Sequence, residues 1–189
     1  LLVAPAAGPV IGVMAGQGLL EPVLDGPGDE PRFHRMVALE AQTGQQPDGV
    51  RRLMALAVWQ EGDIDRLREA LRLTNDEVRR MTALLPARPD LHAHLTLYRL
   101  GADAFRDAVL LRAAQGRWPD WRAVLALPEE WMPPAFLLSG KDVLARGVAR
   151  GPEVGAALAR AERMWIAAGF PAAQEAQQQI LAGAIPRPA

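Results

Sequence analysis

Apolar residues recur along this chain at spacings of three and four, and no run alternates them one for one with polar residues. A period near 3.6 marks an amphipathic helix and a period of two marks a half-buried strand. The pattern therefore predicts helices almost throughout. In "DIDRLREALRL", Asp63 stands at the N-cap position and Ile64, Leu67 and Leu71 share one face. In "TNDEVRRMTALL", Thr74 and Glu77 have the spacing of a capping box, and Val78, Met81 and Leu85 form the apolar stripe. "GADAFRDAVLLRAAQG" carries Phe105, Val109 and Arg112–Ala113 at helical spacing and stops at Gly116. "GPEVGAALARAERMWIAAG" puts Val154, Leu158, Ala161, Trp165 and Ala168 on one face, opposes them with Glu153, Arg160 and Arg163, and offers Gly169 as C-cap.

Interruptions are short. They fall near Gly26–Pro31, Gly44–Pro47, Pro86–Pro89, Pro128–Pro134 and Gly183–Pro188. Helices of about 10–17 residues joined by such connections predict an all-α array, and no repeat of fixed period is present. The expected boundary is "LPARPD", where two prolines coincide with a change of charge. Residues 1–86 hold 9 Arg against 12 acids, and residues 87–189 hold 12 basic against 10 acidic residues. The expectation is thus two helical regions, 1–86 and 87–189, with any polyanion contact on the second. The opening "LLVAP" reads as the tail of a helix already under way, which predicts further sequence upstream.

Composition narrows the function classes. The chain has 189 residues and is 50% hydrophobic, enough for one large core or two small ones. A formal net charge of −1 does not mark the whole chain as a polyanion binder. The absence of cysteine excludes disulfides and thiolate metal sites. No apolar run approaches the length of a membrane span. The apolar start lacks a basic leader and is broken by Pro5, Gly8 and Pro9, so the expected compartment is the cytoplasm. Twenty arginines stand against one lysine, a ratio that a GC-rich genome or selection for RNA contact would each produce.

Few residues are arranged for chemistry. Asp63-x-Asp65 has the form of a two-metal carboxylate pair, but residues two apart on a helix point about 200° apart. His92-x-His94 diverges for the same reason, and His34 stands alone. Ser139 lies in no nucleophile elbow, and no Walker loop or dinucleotide fingerprint occurs. The acidic loop "LDGPGDE" lacks calcium-loop spacing and reads as solvated. "RWPDWR" sets Trp118 and Trp121 between Arg117 and Arg122, a pattern open to base stacking or to core packing. Trp59, Trp131 and Trp165 read as packing residues.

The most distinctive stretch is "LSGKDVLARGVARGPEVG", which contains the single lysine. It predicts a short helix ending at Gly147, a turn, and a second helix with Pro152 at its first position. The amides of Glu153, Val154 and Gly155 then face outward from a positive helix end, where a phosphate oxygen can bind. Gly151 and Gly155 leave room for a sugar-phosphate backbone, and Lys141, Arg146 and Arg150 stand within reach as counter-charges. The alternative is that Gly-Pro only starts a helix.

These residues resemble the C-terminal region of bacterial class II tRNA nucleotidyltransferases, the CCA-adding enzyme and poly(A) polymerase family. Leu138 to Gly155 follow the family pattern Leu-Ser-Gly-x-Asp, then Gly-x-x-x-Gly-Pro-x-Val-Gly. Leu71 to Glu77, "LRLTNDE", is similar to the family's helix of that form. The first 26 residues look like the segment after the neck, with Asp25 where the family usually has proline. The resemblance implies an elongated array of short helices, the body and tail of such an enzyme. The α/β head, its Gly-Ser motif and Asp-x-Asp pair, and the neck's nucleotide-selecting Asp/Arg set are absent here. It implies a tRNA-binding role with no catalytic residues and no cofactor in this chain. Mg²⁺ and CTP/ATP would serve the parent enzyme, and the partners would be the tRNA elbow and acceptor stem and the parent's own head and neck. A poly(A) polymerase tail, or a helical protein-interaction module without RNA binding, stand as alternatives.

Overall fold

The computed structural model describes residues 1–185, and every regular element among them is helical. The chain divides into two compact units, Leu1–Trp131 and Met132–Ala189. No helix is long and apolar enough to cross a membrane.

The first unit holds α1 (Ala7–Gly16), α2 (Leu20–Leu24), α3 (Glu30–Thr43), α4 (Gly49–Ala57), α5 (Glu61–Leu71), α6 (Asn75–Leu84), α7 (Ala93–Ala113), α8 (Trp121–Leu125) and α9 (Leu127–Glu130). Their apolar faces meet in one core built around Phe33, Met36, Leu56, Ile64, Leu67, Met81, Phe105 and Leu110, all essentially without solvent contact. Each such side chain contributes about 1.5–3 kcal/mol relative to an exposed one. Of the predicted stripes of α5 and α6, Ile64, Leu67 and Met81 are among these residues, and Leu71, Val78 and Leu85 pack against them partly buried. α7 begins eight residues earlier than the sequence pattern indicates. Its two halves join at Gly101, whose backbone (φ 74°, ψ 171°) only glycine adopts readily.

The caps explain several boundaries. Thr74 and Glu77 close the expected capping box, with the Thr74 amide donating to Glu77 at 2.7 Å. Asp63 is not an N-cap but the third residue of α5. Its carboxylate accepts the amides of Trp59 (2.9 Å) and Gln60 (3.1 Å) and pairs with Arg66. The acidic loop is structured at both ends. Asp25 ends α2 in a left-handed conformation, and Asp29 caps α3 by accepting the Arg32 amide at 2.8 Å.

A buried ionic network ties four helices together. Glu40 on α3 accepts from Arg51 (2.8 Å) and Arg52 (2.6 Å) on α4. Arg51 also reaches Asp107 on α7 at 2.7 Å, and Arg80 on α6 joins Asp107 (2.5 Å) to Asp48 (2.8 Å). Helices on both sides of "LPARPD" share this network and the same core. The compact units therefore part not at residues 86/87 but in the Pro128–Pro134 stretch.

The second unit holds α10 (Gly140–Ala145), α11 (Pro152–Ala167) and α12 (Gln174–Ala184). Leu138, Val143, Ala157, Ala161, Leu181 and Ala184 form its core. Trp165 is fully buried between Phe136 (5.3 Å) and Phe170 (5.0 Å between ring centres), with its indole nitrogen donating to the Pro171 carbonyl. Gln177 is also fully buried. It accepts the Leu137 amide (2.7 Å) and donates to the carbonyls of Ala135 and Pro171. One side chain thereby fixes an extended segment that has no ladder of its own. The expected Gly183–Pro188 break lies partly outside the described residues.

Candidate nucleic-acid interface

The candidate corner is built from the start of α10 upward. The Ser139 amide and hydroxyl both donate to one oxygen of Asp142, at 2.8 and 2.6 Å. Gln178 on α12 donates to the other at 3.0 Å. The hydroxyl, the amide and Gln178 together hold the Asp142 carboxyl below its ordinary pKa. In the same α10–α12 contact, Arg146 donates to the Gln178 carbonyl and side-chain oxygen, both at 2.9 Å. The Ser-Gly-x-Asp unit thus caps α10 and ties it to α12. The signal was present as Ser139 and Asp142 three apart, whereas nothing in the sequence singled out Gln178.

The turn then runs through Gly147 (φ 85°) to Gly151 (φ 150°, ψ −165°). This second conformation is close to exclusive to glycine. Pro152 opens α11 as expected, and no side chain caps that end. Val154 is already served, its amide donating to the Gly151 carbonyl at 3.2 Å. Gly151, Pro152, Glu153 and Gly155 are exposed and Val154 is half-buried. A Cβ added at Gly151 or Gly155 would meet no atom within 4 Å, so no protein group fills the space in front of either. Glu153 brings a carboxylate to the same helix end and weakens its pull on a polyanion.

The cations differ in what they do. Lys141 and Arg150 are exposed and have no protein partner among the described residues. Arg146 is exposed but anchored to Gln178 by one nitrogen. Arg160 donates to the Ala184 carbonyl at 2.9 Å and serves the unit's own packing.

Comparison of the chain with protein-family models and with curated proteins finds no match.

The remaining candidates belong to packing or to solvent. Trp121 is buried in the first core with the Arg122 guanidinium 4.4 Å from its ring centre, and Trp118 packs partly buried against the same core. Neither resembles an open stacking platform. Trp131 packs edge-on against His94 at 4.6 Å, but Trp59 is 46% exposed rather than a core residue. His34 pairs with Glu30, and His92 precedes α7. Asp63 is buried on the amides of Trp59 and Gln60 while Asp65 is exposed, so the two do not converge on a Mg²⁺ ion. No cluster of three or more His, Asp or Glu suited to a metal occurs among the described residues.

Proposed function

We propose that this chain is the tRNA-holding helical part of a CCA-adding tRNA nucleotidyltransferase, the body and tail of a class II enzyme. The head of the parent enzyme would carry out CTP and ATP transfer to the tRNA 3′ end with Mg²⁺. This part would supply affinity and position through contacts to the ribose-phosphate backbone, which orient a nucleic acid without reading its sequence.

One observation carries the reading. In the segment Leu138 to Gly155, two exposed cations without protein partners, Lys141 and Arg150, accompany a helix end opened by Gly151 and Pro152 and left without a side-chain cap. The charge distribution favours the same place. Residues 132–189 hold six basic and four acidic residues, whereas residues 1–131 hold 15 and 18.

The test is tRNA binding by filter retention at low salt. Binding should be insensitive to tRNA sequence. It should weaken with salt along a log–log slope of about 0.7–0.9 per phosphate neutralised. K141E combined with R150E should abolish it while leaving the helical circular dichroism unchanged. Unaltered binding by that double variant would count against the corner as the contact. Nucleotide addition by this chain alone would count against a purely positioning role.

A further inference from the structure

The first unit contains a buried cation that no carboxylate among the described residues contacts directly. Arg32 on α3 is buried to 7% exposure and forms no ion pair among the described residues. Its Nη1 donates to the Val58 carbonyl at 3.0 Å. Its Nε is buried with no hydrogen-bond partner at all, and Nη2 has none among the described residues. Nε–H and Nη2–H lie along one edge of the guanidinium, with the spacing that matches two oxygens of a phosphate or carboxylate. Burial lowers the Arg32 pKa, Asp29 pulls it back upward and Arg35 lowers it further. A buried cation in this state is costly unless an anion joins it.

The surroundings fit that anion. Arg32 lines a cleft of about 240 Å³ together with Trp59, Arg88, Arg112, Gln115 and Leu111. Arg88 (3.2 Å) and Arg112 (2.9 Å) share a single carboxylate, Asp90. Those three groups leave one positive charge, and Arg32 supplies a second. Trp59, its ring centre 5.9 Å from the Arg32 guanidinium carbon, adds an exposed aromatic face.

We propose that this cleft is a binding site for a small phosphate-bearing ligand, its oxygens held by the Arg32 guanidinium through Nη2, and through Nε once a side-chain shift on binding uncovers it, with support from Arg88 and Arg112. The site lies wholly within residues 1–131 and is independent of the Gly-Pro corner. Two sources share this chemistry: free inorganic phosphate, and a phosphate monoester with a flat ring able to lie on Trp59.

Isothermal titration of the whole chain at low ionic strength, with inorganic phosphate and separately with AMP, tests it. Saturable uptake at one site per chain is expected. Equal affinity for both probes identifies the free ion as the ligand. Tighter AMP binding that W59A reduces to the level of phosphate identifies the ring-bearing ester. R32K keeps a charge able to reach the Val58 carbonyl but removes the fork, and it should weaken binding about tenfold or more. R88Q, at a half-exposed position, should weaken it in the same direction. Thermal unfolding confirms that each variant folds, and should R32K not fold, R88Q decides. No saturable uptake of either probe, or affinity within about twofold of wild type in the folded variants, would overturn the assignment.

Discussion

At the scale of single residues, two glycines of one turn make opposite predictions. Gly151 has a backbone (φ 150°, ψ −165°) that side chains resist, and a Cβ there would touch nothing. G151A should therefore cost about 1–3 kcal/mol through the backbone alone, read as a lower urea midpoint. Gly155 lies inside α11, where glycine costs about 1 kcal/mol relative to alanine. G155A should raise the midpoint, because the new methyl group meets no protein atom. If an RNA backbone approaches this face, the same methyl group should weaken tRNA binding. A variant that is more stable yet binds less would separate function from folding, and equal binding would remove Gly155 from the contact. The Gly-Pro pair and its helix were legible in the sequence because proline and glycine carry their constraints locally. The engagement of Val154 by the Gly151 carbonyl was not, since it depends on how the turn closes.

At the scale of elements, the hydrophobic period gave the helices but not what locks them together. In "VRRLMALA" the two arginines, Arg51 and Arg52, are buried along with the apolar residues around them. Periodicity ranks positions by polarity and cannot see that Glu40, eleven and twelve residues earlier, turns two arginines inward. Removing one partner from such a network leaves charge buried without compensation. E40A should cost about 3–5 kcal/mol, measurable by urea unfolding, far more than a surface carboxylate would. The network also sets an acid limit. Burial alone would raise the Asp48 pKa, but hydrogen bonds from Arg80 and the Arg51 amide outweigh it, and the net shift is downward. A depressed folded-state pKa stabilises fully above the unfolded value of about 4. That contribution disappears as pH falls through the folded pKa. Stability should therefore fall between about pH 5 and lower values, and D48N should flatten this decline while lowering stability near neutrality.

At the scale of the whole molecule, proline spacing pointed to the wrong one of two candidate joints. Pro86–Pro89 and Pro128–Pro134 are alike as local signals. They differ in what lies across them: Met81 and Leu84 share a core with Leu97 and Phe105, whereas Leu138 belongs to a separate core with Val143, Ala157, Ala161, Leu181 and Ala184. Sequence encodes a break locally, but a domain boundary is a property of contacts between distant segments. The second unit, under about 60 residues, has little surface to bury and so has marginal stability of a few kcal/mol. Trp165 joins Phe136 and Phe170 at its centre, and truncating a buried tryptophan costs about 3–5 kcal/mol. W165A should therefore unfold the second unit at room temperature. Hydrogen exchange would show amides of α10–α12 unprotected while those of α3, α4 and α7 keep wild-type protection, because the buried ionic network and Phe33–Phe105 core are untouched. The same variant should lose tRNA binding with the Lys141–Arg150 corner, yet retain phosphate uptake in the Arg32 cleft. Loss of protection in both units together would show that the chain unfolds as one cooperative body, and that the separate cores do not confer separate stabilities.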